Sequence, residues 1–278
     1  MSHPDPAAHR WRRVLRGVAV AGALYLGVAY FVLPRLWIHH EHHPAMAGLP
    51  TRTVTADGIP GDPVNVALIG SEAELVGAFA RAGWRVPAAL GLRADLGIGE
   101  SVVLDRPDPT APVSSLFLFG RQQDLAFEQE VGRSARQRHH VRFWRSDAGG
   151  DGPRPLWLGA ASFDRGVGLS RTTGQVTHHI SPDLDAERDH VLAELAAAGQ
   201  LEVESQVSGV GPTLDGHNGG GDRFYTDGEI DVGVLTPGNR VATRPPEQLA
   251  NPPAVALKDW AWSQARPLLR RTLAADDD

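Results

Sequence analysis

Alternating apolar and polar residues predict several strands in the middle of the chain. Residues 138–144 alternate with a period of two, as expected of a strand whose successive side chains point to opposite faces of a sheet. Residues 156–164 form a second, more apolar run, and the turn-forming residues 147–152 separate the two. A β-hairpin is the simplest arrangement of these segments. Shorter runs predict further strands at 64–69, 115–119, 176–180 and 201–207.

Two segments carry the start and stop signals of helices. Ser71, with acidic residues in the turn that follows, predicts a helix that ends at Gly83. Ser181 predicts the N-cap of a second helix, with Pro182 at its first position and Gly199 just after its end. Two principal helices combined with a mainly antiparallel sheet predict an α+β domain.

The last quarter of the chain is rich in turn residues. Residues 215–222 form a glycine-rich loop without the ligand spacing of a calcium-binding EF-hand. The glycines serve either tight turns or a close approach of the backbone to an anionic ligand. Residues 223–235 predict a last hairpin that turns at Asp227-Gly228, and the tail beyond contains a short amphipathic stretch.

An uncharged apolar run from Gly17 to Leu33 predicts a membrane anchor. As a helix, the run spans roughly 25 Å at ~1.5 Å per residue, and flanking apolar residues extend it to 14–37. Four arginines precede it and one follows, which predicts a cytoplasmic N-terminus and an extracytoplasmic main domain. A cleaved signal peptide is the alternative, with Ala45-Met46-Ala47 as the small-residue motif.

These patterns divide the chain into five predicted parts. They are a cytoplasmic N-terminus at 1–13, a transmembrane anchor at 14–37, a His-, Pro- and Gly-rich linker at 38–63, an α+β domain at 64–240, and a C-terminal tail with a short helix at 241–278.

Composition narrows the possible chemistry and partners. The chain has no cysteine, so disulfides and thiolate catalysis are excluded, and a metal ion would need His, Asp or Glu ligands. Of 27 basic and 33 acidic residues, 22 and 31 lie after the first fifty positions. An acidic main domain without a basic stripe argues against a nucleic-acid partner.

Two pairs of adjacent histidines are the main candidates for chemistry, because motifs of serine hydrolases, zinc peptidases and P-loops are missing. Alternation puts His139 and His178 on the apolar faces of their strands, and His140, Arg142 and His179 on the polar faces. Imidazoles beside a guanidinium suit a phosphate or carboxylate ligand, whereas the apolar pair could hold a metal ion. Histidines that only satisfy backbone groups are the alternative.

The second predicted helix carries acids and one unusually placed arginine. Asp183 and Asp185 in its first turn either compensate the helix dipole or bind a ligand. Arg188 lies on the apolar stripe of this helix and therefore requires a carboxylate or a ligand. Asp124 and Asp164 are both candidate partners.

Four motif-bearing segments resemble the LssY C-terminal domain family, which is bacterial and membrane-associated. They are Leu118–Asp124, Arg138–Trp144, Trp157–Asp164 and Thr177–Asp189, within a resemblance that covers residues 50–237. The resemblance implies association with a membrane, and the predicted anchor places the chain in the bacterial inner membrane. It carries over neither an activity nor catalytic residues. Some members of the family carry the domain beside a lipid-phosphatase-like module, which this chain lacks.

Two functional hypotheses follow from the clustered histidines and arginines. The first is a single-pass, membrane-anchored binding or accessory module for an anionic envelope component, small molecule or lipid headgroup. The alternative is a hydrolase of phosphate or carboxylic esters, with or without a metal ion, in which a histidine is the general acid or base and an arginine stabilises a transferred oxygen. The sequence leaves open whether a cofactor is bound.

Each hypothesis has its own set of candidate residues. The catalytic candidates are His140, His179 and Arg142. The ligand-binding candidates are Arg121, Asp124, Arg138, His139, His140, Arg142, His178, His179 and Arg188. The metal-ligand candidates are His139, His178, Asp185 and Asp189.

Overall fold

The structure is a computed structural model with two compact units, residues 1–42 and 43–278. It describes residues 6–32, 48–87, 115–132, 137–149, 154–174, 176–207 and 215–274.

The first unit contains helix α1, Pro6–Gly27, which continues as a π-helical segment, Val28–Val32. Any eighteen consecutive residues of α1 include Arg10, Arg12, Arg13 and Arg16. Across the described residues, no helix combines the length and the apolar content required to cross a membrane. The transmembrane helix predicted at 14–37 therefore has no support from the structure, and its last residues, 33–37, lie outside the described part.

The second unit is an α+β domain, as predicted. Its strands are β1 Arg52–Thr55, β2 Pro60–Pro63, β3 Val66–Ile69, β4 Leu116–Leu118, β5 Arg121–Gln122, β6 Leu125–Glu130, β7 Arg138–Gly149, β8 Pro155–Leu169, β9 Val176–Ile180, β10 Leu201–Val207, β11 Asp215–His217, β12 Arg223–Tyr225, β13 Ile230–Leu235 and β14 Glu247–Gln248. Its helices are α2 Glu72–Arg81, α3 Leu184–Ala197 and α4 Pro253–Ala274, with a 3-10 turn at Pro237–Asn239.

The strands form a large mixed sheet, a small antiparallel sheet and a separate hairpin. The large sheet has the order β14-β10-β13-β3-β8-β7-β6, with β9 also paired to β8; the small one has the order β2-β1-β4-β5; the hairpin is β11-β12. Pairing is antiparallel except between β3 and β13 and between β10 and β14. The predicted hairpin of β7 and β8 is confirmed and forms the centre of the large sheet.

Strand β8 is long enough to pair with two strands along one edge. It pairs with β3 over Leu156–Gly159 and with β9 from Asp164 onward. Asn65 bridges the gap between them, because its side chain donates to the Ala161 carbonyl at 3.0 Å and accepts from the Ala161 amide at 2.9 Å. This amide side chain thus replaces a backbone pair of the ladder.

Both faces of the large sheet are buried. Helices α2 and α3 cover one face, where Phe79 stacks on Phe127 in a cluster that includes Phe143 and Leu195. The other face, which includes Trp144, packs against β4 of the small sheet in a second cluster. The face of β7 that alternation predicts to be polar is therefore also covered by protein.

Two end signals were predicted correctly. The Ser71 capping box begins α2, with Glu74 accepting from the Ser71 amide at 2.8 Å. Gly199 follows α3 with a positive φ of 66°, a conformation that glycine adopts at little cost.

Other predictions require correction. Helix α3 begins at Leu184 and is capped by Asp183 rather than Ser181, because the Ser181 amide donates to Phe163 and extends the sheet. The hairpin predicted at 223–235 does not form, since β12 pairs with β11 and β13 with β10 and β3. Residues 52–63 of the predicted linker form β1 and β2, and the short helix of the tail is the 22-residue α4.

Candidate functional site

A pocket of about 410 Å³, counting the part that opens to solvent, lies where β7, β8 and β9 face the small sheet and the β11–β12 turn. Eight of its twelve lining residues have polar or charged side chains. The lining residues are Thr55, Asp62, Leu116, His140, Arg142, Asp164, Thr177, His178, Ile180, Asn218, Gly219 and Gly220.

Asp164 of β8 is the centre of the ionic contacts in this pocket and is 0% exposed. Its carboxylate accepts from Arg138 Nε at 2.9 Å, and its two oxygens lie 3.1 Å from His140 Nδ1 and 3.4 Å from His178 Nδ1. Burial alone would raise the pKa of Asp164, but His140, His178 and Arg138 together hold it well below its usual range. The carboxylate is therefore ionised and lies beside both imidazoles at the pocket wall, although neither Nδ1 atom forms a hydrogen bond with it.

His140 also contacts a serine through its other ring nitrogen. Its Nε2 lies 3.2 Å from Ser162 Oγ, so Ser162, His140 and Asp164 form a line of the kind found in serine hydrolases. Ser162 is 1% exposed and is not among the lining residues. The hydroxyl therefore positions His140 and does not present a nucleophile to the pocket.

Arg142 lies two residues after His140 on β7, on the same face of the strand. It is 7% exposed and lines the pocket. Within the described part of the chain, its guanidinium donates no hydrogen bond and forms no ion pair. Burial lowers the pKa of Arg142, and the more distant Asp62 and Asp164 offset this only in part. A buried guanidinium without a partner has a free energy cost that an anionic ligand would remove.

Asp62 of β2 contributes a second carboxyl group and is 8% exposed. Burial raises the pKa of Asp62, and the charges of Arg142 and His140 oppose that rise. The pocket therefore holds two carboxyl groups whose pKa values are shifted in opposite directions, a pattern that often separates an acid from a base.

The turn of the β11–β12 hairpin closes one side of the pocket. Asn218 Oδ1 accepts from the Asp222 amide at 2.9 Å, which shapes the turn. Asp222 then joins the turn to β9, because its carboxylate lies 2.7 Å from His179 Nδ1 and accepts from the Ile180 amide. Gly219 is required here, since a Cβ atom would lie 2.5 Å from Thr55 Cγ2.

Alternation along the strands predicted incorrectly which histidines lie together. His178, not His179, shares the pocket with His140 and Arg142, whereas His179 contacts Asp222. His139 lies on the helix side of the sheet, where Nδ1 is 2.7 Å from Glu187 of α3 and the ring stacks on His190. Alternation identifies the residues that share a face of one strand, but it does not show which faces of two strands coincide. The register shift between Asp164 and Gly166 also changes which faces of β8 and β9 coincide.

A family model described as the LssY C-terminus matches residues 46–230. The chain belongs to the LssY C-terminus family. The match includes every residue that lines the pocket and ends before α4. Comparison with curated proteins and with solved structures finds no match to this LssY C-terminus domain.

Several predicted ligand-binding residues of this LssY C-terminus domain lie away from the pocket. Arg121 forms a two-bond ion pair with Asp124 on the surface, at 2.9 and 3.2 Å. Arg188 is buried in α3, and the prediction that Asp124 or Asp164 is its partner is wrong. Its guanidinium donates to Asp227 at 2.7 and 3.0 Å, in the segment that connects β12 to β13.

The metal-ligand candidates are spread over three networks. His178 faces Asp164 in the pocket, while His139 contacts Glu187. Asp185 accepts from Trp262 Nε1 at 2.7 Å, and Asp189 contacts Arg188 and Arg266. Over the described ranges, no group of three or more His, Asp or Glu side chains is arranged to hold a metal ion.

Helix α4 packs on the acidic start of α3 through basic side chains. Arg266 and Arg270 both donate to the capping Asp183, at 2.9 and 2.6 Å, and Lys258 donates to Glu229 at 2.6 Å. Asp183 therefore serves both as the cap of α3 and as the anchor of α4. The contacts of Asp183 with Arg266 and Arg270, and of Asp185 with Trp262, give both acids partners within the protein.

The sequence did not identify three residues that line the pocket, Asp62, Thr177 and Asn218. Asp164 was predicted only as a candidate partner of Arg188. One signal was available for Asp164. It is the acid that ends the mainly apolar run 156–164, and Ser162 lies two residues before it. For Asp62 no local signal exists, because its place in the pocket depends on pairing between β1, β2 and β4.

Proposed function

We propose that this domain binds the anionic group of an envelope molecule or lipid-derived ligand in the pocket between β7–β9 and the small sheet. The observation that carries the proposal is Arg142, a buried guanidinium that lines the pocket without an ion pair or hydrogen bond in the described structure. An oxyanion would accept the charge-assisted hydrogen bonds that Arg142 can donate. His140 and His178 also line the pocket.

Replacement of Arg142 by glutamine tests this proposal. We expect inorganic phosphate to raise the melting temperature of the full chain, because a ligand that binds only the folded state stabilises it. Arg142→Gln should weaken phosphate binding at least about tenfold, since a hydrogen bond to a charged group contributes about 1.5–3 kcal/mol. Isothermal titration calorimetry and thermal melts with and without phosphate provide the measurements.

Two controls make the result specific to the pocket. Arg121→Gln removes one positive charge from a surface ion pair and should leave phosphate binding unchanged. Without ligand, Arg142→Gln should be at least as stable as the wild type, because it removes a buried charge that has no partner. Equal phosphate affinity in Arg142→Gln and the wild type contradicts the proposal.

Hydrolysis is the second candidate function, and the opposite pKa shifts of Asp62 and Asp164 favour it. Asp62, which lines the pocket and whose pKa is raised by burial, would protonate the leaving oxygen, and the attacking water would release its proton to the solvent at the open side of the pocket. A screen with phosphate and carboxylate esters tests this candidate. Turnover that survives Asp62→Asn would exclude this role.

We also propose that the chain is attached to the bacterial inner membrane by residues 14–37, with residues 43–278 on the extracytoplasmic side. The support comes from the sequence, in the uncharged run 17–33 and the four arginines before it. Alkaline phosphatase requires disulfides and is active only outside the cytoplasm, so a fusion after residue 278 should be active. An inactive fusion, together with an active cytoplasmic reporter at the same position, contradicts this orientation.

A further inference from the structure

The anion pocket is not simply basic, because two carboxyl groups line it beside Arg142. Asp62 and Asp164 are both lining residues, and both are buried. Asp164 is already in contact with Arg138, His140 and His178, whereas Asp62 has no ion pair within the described ranges. An anion in contact with Arg142 therefore lies in a pocket that Asp62 also faces.

Charged groups reach Asp62 from three neighbouring strands. Arg52 comes from β1, His140 and Arg142 from β7, and Asp164 from β8. Asn218 of the glycine-rich turn lies near enough to the Asp62 carboxyl group to lower its pKa. The pocket thus places the carboxyl group of Asp62 together with the unpaired guanidinium of Arg142, both of them buried side chains.

The chemistry of oxygen atoms restricts which anions fit such a pocket. A carboxylate and a fully ionised oxyanion are both acceptors only, and two acceptors with like charge repel each other at contact distance. A ligand oxygen that carries a proton can instead donate it to the carboxylate. Phosphate and phosphate monoesters keep an ionisable proton near neutral pH, whereas sulfate and phosphodiesters have none.

We propose that the pocket selects a phosphoryl group that carries a proton over sulfate and phosphodiesters, with Asp62 accepting the hydrogen bond from the ligand hydroxyl. This inference rests on the proposed function and gives its ligand class. Arg142 supplies the attraction for the anion, and Asp62 acts as the specificity-determining group. Free phosphate, soluble phosphate monoesters and monoester lipid headgroups share this chemistry.

Titration of the full chain with inorganic phosphate and with sulfate at pH 7.5 tests the selection. We expect phosphate to bind at least about tenfold more tightly, because an unpaired acceptor at the contact disfavours sulfate. In Asp62→Asn the amide can donate, so sulfate should gain affinity and the ratio should fall towards one. Equal affinities in the wild type, with no change of the ratio in Asp62→Asn, would overturn the inference.

A measurement on the wild type avoids dependence on the variant. Calorimetry in buffers of different ionisation enthalpy gives the number of protons taken up on binding. Binding of sulfate should be accompanied by the uptake of about one proton per site, because Asp62 must be protonated to donate to sulfate. Binding of phosphate should be accompanied by the uptake of fewer protons. Sulfate that binds as tightly as phosphate without proton uptake would overturn the inference.

Vesicles distinguish the sources of the phosphoryl group. The headgroup of phosphatidic acid is a phosphate monoester, whereas the headgroup of phosphatidylglycerol is a phosphodiester, which has no ionisable proton near neutral pH. Preferential binding to phosphatidic acid that Arg142→Gln abolishes would support the inference and assign the ligand to a lipid. Preference for free phosphate over sulfate, without a preference between the two lipids, would support it with a soluble monoester as the ligand.

The outcomes separate this inference from the proposed function. Equal binding of phosphate and sulfate that is lost in Arg142→Gln leaves the anion pocket intact and overturns only the selection by Asp62. Absence of binding of both anions in the wild type, with equal melting temperatures in their presence and absence, overturns both.

Discussion

Replacement of Arg188 by leucine is expected to lower the free energy of unfolding by about 3–5 kcal/mol at pH 8, the usual cost of removing one partner of a buried ion pair. Arg188 is 4% exposed and contacts Asp227, Asp231 and Asp189. Without the guanidinium, the remaining carboxylates would face one another in a site with little water. Chemical denaturation of the full chain measures the effect.

The loss in Arg188→Leu should depend on pH in a defined direction. Burial, with the neighbouring acids, raises the pKa of Asp231 to about 7 and that of Glu229 to about 7 even in the wild type. The folded state therefore binds more protons than the unfolded state between about pH 4 and 7, and stability from these groups increases as the pH falls. The free energy of unfolding of Arg188→Leu should increase more steeply as the pH falls, because its buried carboxyl groups lack the positive charge of the arginine.

Arg121→Leu is the matched control for Arg188→Leu, since Arg121 forms a similar two-bond ion pair with Asp124 on the surface. Its replacement should change stability by less than about 1 kcal/mol, because exposed ion pairs contribute little. A cost in Arg188→Leu as small as that of the control, without dependence on pH, would show that the acidic cluster does not need the guanidinium.

Replacement of Asp164 by asparagine should have the second largest effect, a loss of about 3–5 kcal/mol at neutral pH. The variant keeps the shape of the side chain but leaves Arg138, His140 and His178 without the negative charge that they share. This result would contrast with Arg142→Gln, which should not destabilise the domain although it lines the same pocket. The difference arises because Asp164 contacts three basic side chains, whereas Arg142 forms no ion pair within the described part of the chain.

The pH dependence provides a check on the role of Asp164. The pKa of its carboxyl group lies below the usual range in the folded state, so its stabilisation is present above about pH 4 and is lost as the pH falls through the folded pKa. The difference between the wild type and Asp164→Asn should therefore narrow below about pH 4. Asp124→Asn, at a partly exposed ion pair, should produce a loss of less than about 1 kcal/mol. A loss in Asp164→Asn no larger than that would contradict the assigned role.

Local patterns in the sequence determined much of the secondary structure. The capping box at Ser71, the positive-φ glycine at Gly199 and the β7–β8 hairpin depend on neighbouring residues, so their signals lie within short windows. The histidine pairs also indicated correctly which two strands meet near one pocket, although not which ring of each pair faces it.

Only the tertiary structure decided the composition of the site. Asp62 and His140 are almost eighty positions apart in the sequence. Arg188 contacts Asp227 in the segment where the sequence predicted the turn of a hairpin that does not form. The pairing of strands in space is chosen by packing of the whole core, whereas alternation reports only the two faces of a single strand. The residue types that line the pocket were therefore visible in the sequence, but their partners and the unpaired state of Arg142 were set by the fold.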